Sequence, residues 1–350
     1  MSVAMLPIKS IRSPLRLAKL VALSLTLSLA CLLLVAAVAL AQSDPLPSWN
    51  DGPAKKAIIT FVKATTDKSS PDFVPPESRV ATFDQDGTTW VEQPMYPQVL
   101  FCVDRLRLLA KDKPELANAE PFKTVLSGGP EAIRKLTAKD IWEIFNATLT
   151  GITVDQYASE VNAWLETAKD PRFGRLYSEL AYQPMLEVMR YLRANGYKTY
   201  FVTGGEQDFV RAYSERVYGI PPEQVVGTMG GVTFGYDADG KPILTKEPKL
   251  LLSDVEAGKP EGIHLMIGRR PYAAFGNSTG DQQMLEYTTA GKGARLAMLV
   301  YHDDAVREYA YGAQSAVGTF SDALMAEAKQ NGWLVISMKN DWKRIFPWQK

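Results

Sequence analysis

The run Arg79-Val-Ala-Thr-Phe83 breaks off abruptly at Asp84-Gln85-Asp86-Gly87-Thr88-Thr89. A short apolar segment with a polar, Pro-rich stretch before it (Thr66 to Ser78) and acids behind it reads as a buried strand that delivers side chains at its carboxyl tip. The pattern returns from Pro184 onward. A helix is predicted over Pro184 to Ala194, a turn at Asn195-Gly196, a strand over Tyr197 to Val202 and a helix over Glu206 to Tyr218. Further strands are predicted at Val225 to Gly227, Tyr272 to Phe275, Leu296 to Tyr301 and Trp333 to Ser337. Strands alternating with helical stretches give an α/β domain on a parallel sheet. The segment GGVTFGYDADGKPILTKEP alternates about Asp239-Gly240 and reads as a β-hairpin excursion from that sheet.

One stretch breaks the alternation. After a helix-like piece at Ala54 to Thr65 and the first strand, residues 97–180 show helical periods alone: VLFCVDRLRLLA, DIWEIFNATL and VDQYASEVNAWLETA, the last capped by Thr153. The predicted organisation is therefore a core of residues 42–96 and 181–350, with residues 97–180 as an all-helical insert after the first strand.

The first 41 residues read as an address. Lys9, Arg12, Arg16 and Lys19 lead into the uncharged run Leu20 to Ala41, which closes on the small-x-small site Ala39-Leu40-Ala41. This is a secretory signal pattern with cleavage after Ala41. About 20 apolar residues also suffice to span a bilayer, so an uncleaved anchor is the alternative. Cys31 is not read as a lipidation site, because Ser28 stands where a branched apolar residue is wanted. The absence of an Arg pair favours Sec export over the twin-Arg route. The expected location is periplasmic or secreted, with membrane contact only if the segment stays on.

Beyond residue 41 the chain carries 35 basic against 39 acidic residues. A mildly acidic body argues against a nucleic-acid partner. Two histidines and two cysteines exclude the usual structural zinc sites. Cys102, alone in the mature chain, reads as a small buried residue on a helix. Nothing in the sequence sets an oligomeric state.

In doubly wound sheets ligands sit beyond the carboxyl ends of the strands. At those ends stand Asp84 and Asp86, two carboxylates that need a cation or a proton between them. Thr203-Gly204-Gly205, at the opening of the predicted helix, offers a hydroxyl and free amides at a positive helix end, which suits a phosphate. Asn277-Ser278-Thr279-Gly280-Asp281 supplies oxygen ligands of the kind Mg²⁺ prefers, and Lys259 supplies a positive charge, with Lys249 its rival. His302 is placed at the rim, His264 in the core, and Asp303 and Asp304 as caps of a following helix.

These pieces in this order resemble the haloacid dehalogenase superfamily of phosphohydrolases. DQDGTTWVEQPMY, YQPMLEVMRYLRANGYKTYFVTGG, GKPEGIHLMIGRRPYAAFGNS and DWKRIFP are similar to an exported bacterial branch close to phosphoserine phosphatase, over Arg79 to Pro347. The resemblance implies a three-layer Rossmann-like core with residues 97–180 as a helical cap, and a small-molecule phosphomonoester as substrate. It implies Asp84 as nucleophile through an aspartyl-phosphate and Asp86 as general acid and base. Thr203, Gly204 and Lys259 would bind the phosphate. Mg²⁺ would be held by Asp84, the Asp86 carbonyl and Asn277, with Asp281 close by. A phosphotransferase using the same intermediate, and a non-catalytic exported phosphate-binding protein, are the alternative functions.

Two departures accompany the resemblance. Asn277 is neutral where the family usually has Asp, which predicts weaker metal binding. Counting from Asp84 puts Gln93 where phosphoserine-specific relatives have Glu, with Glu92 one place earlier, which argues against phosphoserine as the substrate.

Overall fold

The structure, a computed structural model, describes residues 44–349. The predicted export signal lies outside the described residues. Among the described residues no helix is long and apolar enough to cross a membrane.

The first described helix, α1 (Pro53–Thr66), starts with Pro at its first position, where no amide hydrogen is needed. It buries Ile58, Phe61, Val62 and Thr65, one helical face. The strand β1 (Val80–Phe83) is buried along its whole length, as expected for a parallel strand covered on both faces. No strand interrupts the described chain between β1 and residue 198. The segment instead contains α2 (Pro97–Asp112), short helices at Phe122–Ser127 and Gly129–Ile133, α3 (Ala138–Leu149) and α4 (Val154–Leu165). A reciprocal Thr137–Asp140 capping box opens α3. Thr153 caps α4 by accepting from the Gln156 amide, as its sequence predicts.

The chain then makes α5 (Gln183–Ala194), β2 (Lys198–Glu206), β3 (Val225–Tyr236) and β4 (Pro242–Leu252). It finishes with β5 (Ala273–Gly276), α6 (Gln282–Thr289), β6 (Leu296–Tyr301), α7 (Asp322–Asn331) and β7 (Leu334–Ser337). The seven strands form one sheet in the order β4-β3-β2-β1-β5-β6-β7, parallel except for the β3–β4 hairpin. The predicted α/β class and the hairpin are both present. Alternate strand residues feed two cores. Phe83, Phe201, Phe275 and Met298 face one side, and Val202, Val226, Ala274 and Leu299 the other.

Three readings need correction. The strand expected to stop at Val202 runs on to Glu206, with a register shift between Thr203 and Glu206. The predicted helix Glu206 to Tyr218 is two short pieces, Gln207–Arg211 and Ser214–Tyr218. His264 is exposed, not in the core, because the one-turn π-helix Ile263–Ile267 turns only Ile263 inward.

Candidate functional site

The strand order reverses at β1. Successive strands β2, β3 and β4 run out on one side, and the chain then returns to place β5, β6 and β7 on the other. The tips of β1 and β5 are therefore neighbours at the switch point, where such sheets open a crevice. Phe83 and Phe275 stack there at 4.5 Å between centroids, and the Asp84 amide donates to the Phe275 carbonyl at 2.8 Å. The loops carrying Asp84 to Thr88 and Asn277 to Asp281 consequently leave the sheet side by side.

Lys259 sits at their junction. Its ammonium donates to Asp84 Oδ1 at 2.6 Å, to Asp281 Oδ1 at 2.6 Å and to the Val202 carbonyl at 2.8 Å, which uses all three of its hydrogens. Lys249, the rival by sequence, is exposed on β4. The other Asp281 oxygen accepts from the Asn277 and Ser278 amides at 2.9 and 3.0 Å. That close turn requires a residue without Cβ at Gly276, where one would fall 2.5 Å from the Asp281 Cβ. Asn277 accepts from the Thr88 hydroxyl at 2.9 Å and donates to Glu92 Oε1 at 2.7 Å.

Asp86 is held from one side, its Oδ1 accepting from the Trp90 indole at 2.7 Å. Thr203 is buried at the start of the bulge in β2, with Gly204 exposed beside it, and the Gly205 amide donates to Thr203 Oγ1 at 3.1 Å. The helix that follows is only five residues long, and Glu206 caps it by accepting from the Phe209 amide. The free positive helix end expected behind Thr203 is therefore spent on Glu206, and the exposed backbone comes from the bulge in β2 instead.

Burial and mutual repulsion dominate the electrostatics. Burial, then Asp281, pushes Asp84 up to about 8 against the pull of Lys259. Burial pushes Asp86 up to about 6 and raises Glu92 well above the carboxylate range. Burial pulls the Lys259 ammonium down, but Asp281, Asp84 and Asp254 outweigh it and raise it overall. Asp84, Asp86, Asp254 and Asp281 thus share one ammonium, and Glu92 adds its repulsion to Asp84, Asp86 and Asp281. Among the described residues no three His, Cys, Asp or Glu side chains form a ready-made metal cage. The uncompensated negative charge and the hard oxygen donors of Asp84, Asp86 and Asn277 nevertheless fit Mg²⁺, which binds through few protein ligands and keeps several waters.

The structure brings together the residues expected to carry catalysis, phosphate and metal: Asp84, Asp86, Thr203, Gly204, Lys259 and Asp281 line one cavity of about 400 Å³, and Asn277 is bonded to Thr88 and Glu92. Sequence reasoning did not place Glu92 in it. Gly87, at φ +72°, turns the chain back so that its amide meets the Trp90 carbonyl at 2.9 Å, and this return delivers Glu92 to Asn277. His302 lies beneath the loop and not at the rim, buried, its Nε2 donating to the Gly87 carbonyl at 2.7 Å. Asp304 caps a turn through the Val306 and Arg307 amides, and Asp303 accepts from Ser337 and Lys339, so neither caps a directly following helix.

No curated protein matches this chain. Among solved structures, a conserved functionally unknown protein from Anaerococcus prevotii DSM 20548 is 15% identical with a TM-score of 0.52, over 81% of this chain and 91% of that one, and shares the fold. A protein with unknown function from Bordetella pertussis Tohama I is 17% identical over 74% of this chain and 98% of that one, TM-score 0.46. A family model described as haloacid dehalogenase-like hydrolase matches residues 81–286.

Proposed function

The chain belongs to the haloacid dehalogenase-like hydrolases, and from that footing we propose that it is a Mg²⁺-dependent phosphomonoester hydrolase acting through an aspartyl-phosphate on Asp84. The observation that carries the reading is the placement of Lys259, which pins Asp84 through one oxygen. The other Asp84 oxygen has only a 3.5 Å contact from Thr88, and Asp84 is among the residues that line the cavity.

In the first half-reaction an Asp84 carboxylate oxygen forms a bond to phosphorus while the bond from phosphorus to the ester oxygen breaks, and Asp86 gives that oxygen its proton. Trp90 fixes Asp86 by one oxygen, so the other is left for this transfer. In the second, water attacks phosphorus, gives a proton to Asp86, and the bond to Asp84 breaks to release inorganic phosphate. Thr203 and the exposed backbone at Gly204 would hold phosphoryl oxygens, and Lys259 keeps positive charge beside them throughout. Asp281, whose oxygens are spent on Lys259 and the loop amides, acts as a positioning residue. Asp84, the Asp86 main-chain carbonyl and Asn277 would hold Mg²⁺, which when bound neutralises charge on the attacking carboxylate and the phosphoryl group.

Residues 97–180 serve in this reading as a cap, since Gln98, Val99, Ile141, Trp142 and Phe145 of that segment line the same cavity. Export through residues 1–41 rests on the charge and hydropathy pattern alone, and the N-terminal sequence of the protein recovered from its host would test it, with Gln42 as the expected first residue. The activity is tested by phosphate release from p-nitrophenyl phosphate with Mg²⁺, with EDTA, and with Asp84→Asn. Turnover is expected to vanish with EDTA and to fall by at least about 10³-fold in Asp84→Asn. Turnover indifferent to both would overturn the reading.

A further inference from the structure

The cavity has two unlike halves. One is the polar group already described, joined by Tyr96, Gln98, Thr228, Ser253 and Ser278; the other is apolar, with Val99, Ile141, Trp142 and Phe145 from α2 and α3 and Leu250 and Val255 from the other side. Charged side chains among the lining residues are Asp84, Asp86, Glu92, Asp281 and Lys259. Lys259 is the one cation among them, and its three hydrogens are committed to Asp84, Asp281 and Val202. A leaving group that carried its own carboxylate, or a second phosphate, would have to bury that charge among apolar walls and acids with no cation free to pair it, only neutral donors such as the unpartnered Gln98 amide nitrogen, which is costly. Leu250 and Val255 are moreover 45% and 44% exposed at the cavity, an apolar margin that an apolar ligand would cover.

Resting on the hydrolase reading, we propose that the substrates are phosphomonoesters of uncharged, apolar alcohols, aromatic ones above all, and that phosphorylated amino acids and polyanionic phosphates are excluded. Trp142 and Phe145 supply the faces on which a ring would pack, and the missing counter-cation supplies the exclusion.

The test compares kcat/KM, at one pH and one Mg²⁺ concentration, for 2-phenylethyl phosphate, glycerol 3-phosphate and O-phosphoserine, three alkyl esters that differ chiefly in what the alcohol carries. The phenylethyl ester is expected to exceed phosphoserine by at least about 100-fold. Trp142→Ala should narrow that ratio mainly through KM for the phenylethyl ester. Val255→Lys, at an exposed position, should raise phosphoserine turnover about tenfold by adding a cation at the margin. If turnover requires Asp84 but phosphoserine matches or beats the phenylethyl ester, the substrate class is wrong and the hydrolase stands. If no ester is turned over, or Asp84→Asn turns them over as well, the hydrolase reading fails and this inference falls with it.

Discussion

Asp254 shows how far a single side chain can set the behaviour of this protein. It is fully buried, and neither carboxyl oxygen makes a well-formed hydrogen bond. Burial pushes it up to about 7, against the opposing pull of Lys259 and the Thr203 amide. Its folded pKa therefore lies above its unfolded one, so its contribution to stability is complete below about pH 4 and is lost as the pH rises through about 7. Asp254→Asn should raise the melting temperature by a few degrees at pH 8 and change it little at pH 4.5. About three pKa steps at about 1.4 kcal/mol each set the upper bound of that gain. Thermal denaturation at the two pH values checks the sign. A second prediction concerns Asn277, which turns its amide to Glu92 and its carbonyl to Thr88. Asn277→Asp should tighten Mg²⁺ binding by roughly tenfold in calorimetry, a carboxylate replacing a neutral donor; unchanged affinity would overturn the expectation that the neutral residue 277 weakens binding. Asp84 and Asp86 were legible in the sequence because they directly follow an apolar strand, and Lys259 from its place ahead of the Asn277 turn. Glu92 was not, since only the left-handed turn at Gly87 folds it back.

At the scale of elements, the β3–β4 hairpin, already paired to β2 through β3, is joined to the helical segment by one buried lysine. Lys246 donates at 2.7 Å to both Glu206 and Asp208, and its ammonium lies 4.8 Å from the Tyr157 ring centre on α4. Its backbone pairs with residues 151 and 152 on the way into α4. The same Glu206 caps the helix behind Thr203, and its amide donates to Gln98 on α2. Hairpin, helical segment and the bulge of β2 thus share a single ionic knot. Lys246→Met would strand two largely buried carboxylates and should cost about 3–5 kcal/mol in urea unfolding, whereas Lys249→Met on the exposed stretch of the same strand should cost almost nothing. The alternation around Asp239-Gly240 announced the hairpin, but its attachment depends on residues nearly a hundred positions apart, which no local period encodes. The overrun of β2 to Glu206 escaped the sequence for a related reason. Gly204 and Gly205 look like a strand end, and it is pairing with β3 that carries the strand past them.

Across the whole of residues 46–349, the two ends of the described chain are joined. The Asn50 amide donates to the Asp341 carbonyl at 2.8 Å, the Lys343 amide to Ser48, and Trp49 meets Trp342 edge to face at 5.9 Å. Buried Glu187 on α5 accepts from the Ser48 amide and hydroxyl at 2.9 and 2.7 Å. Glu187→Ala should cost about 1–3 kcal/mol and raise hydrogen exchange at residues 46–50 while leaving β1 protected; equal loosening of both would show that this clamp is not an independent unit.

The stacked pair Phe83 and Phe275 has a consequence for descent as well as for packing. It fixes the reacting groups to two adjoining strands, while Ile141, Trp142 and Phe145 come from a helix some sixty residues away in the chain. On the proposed function, mutations in that helix would alter which alcohol is accepted, whereas changes between residues 83 and 88 would strike at the reaction itself. The gene is thus divided into a stretch free to explore and a stretch that is not.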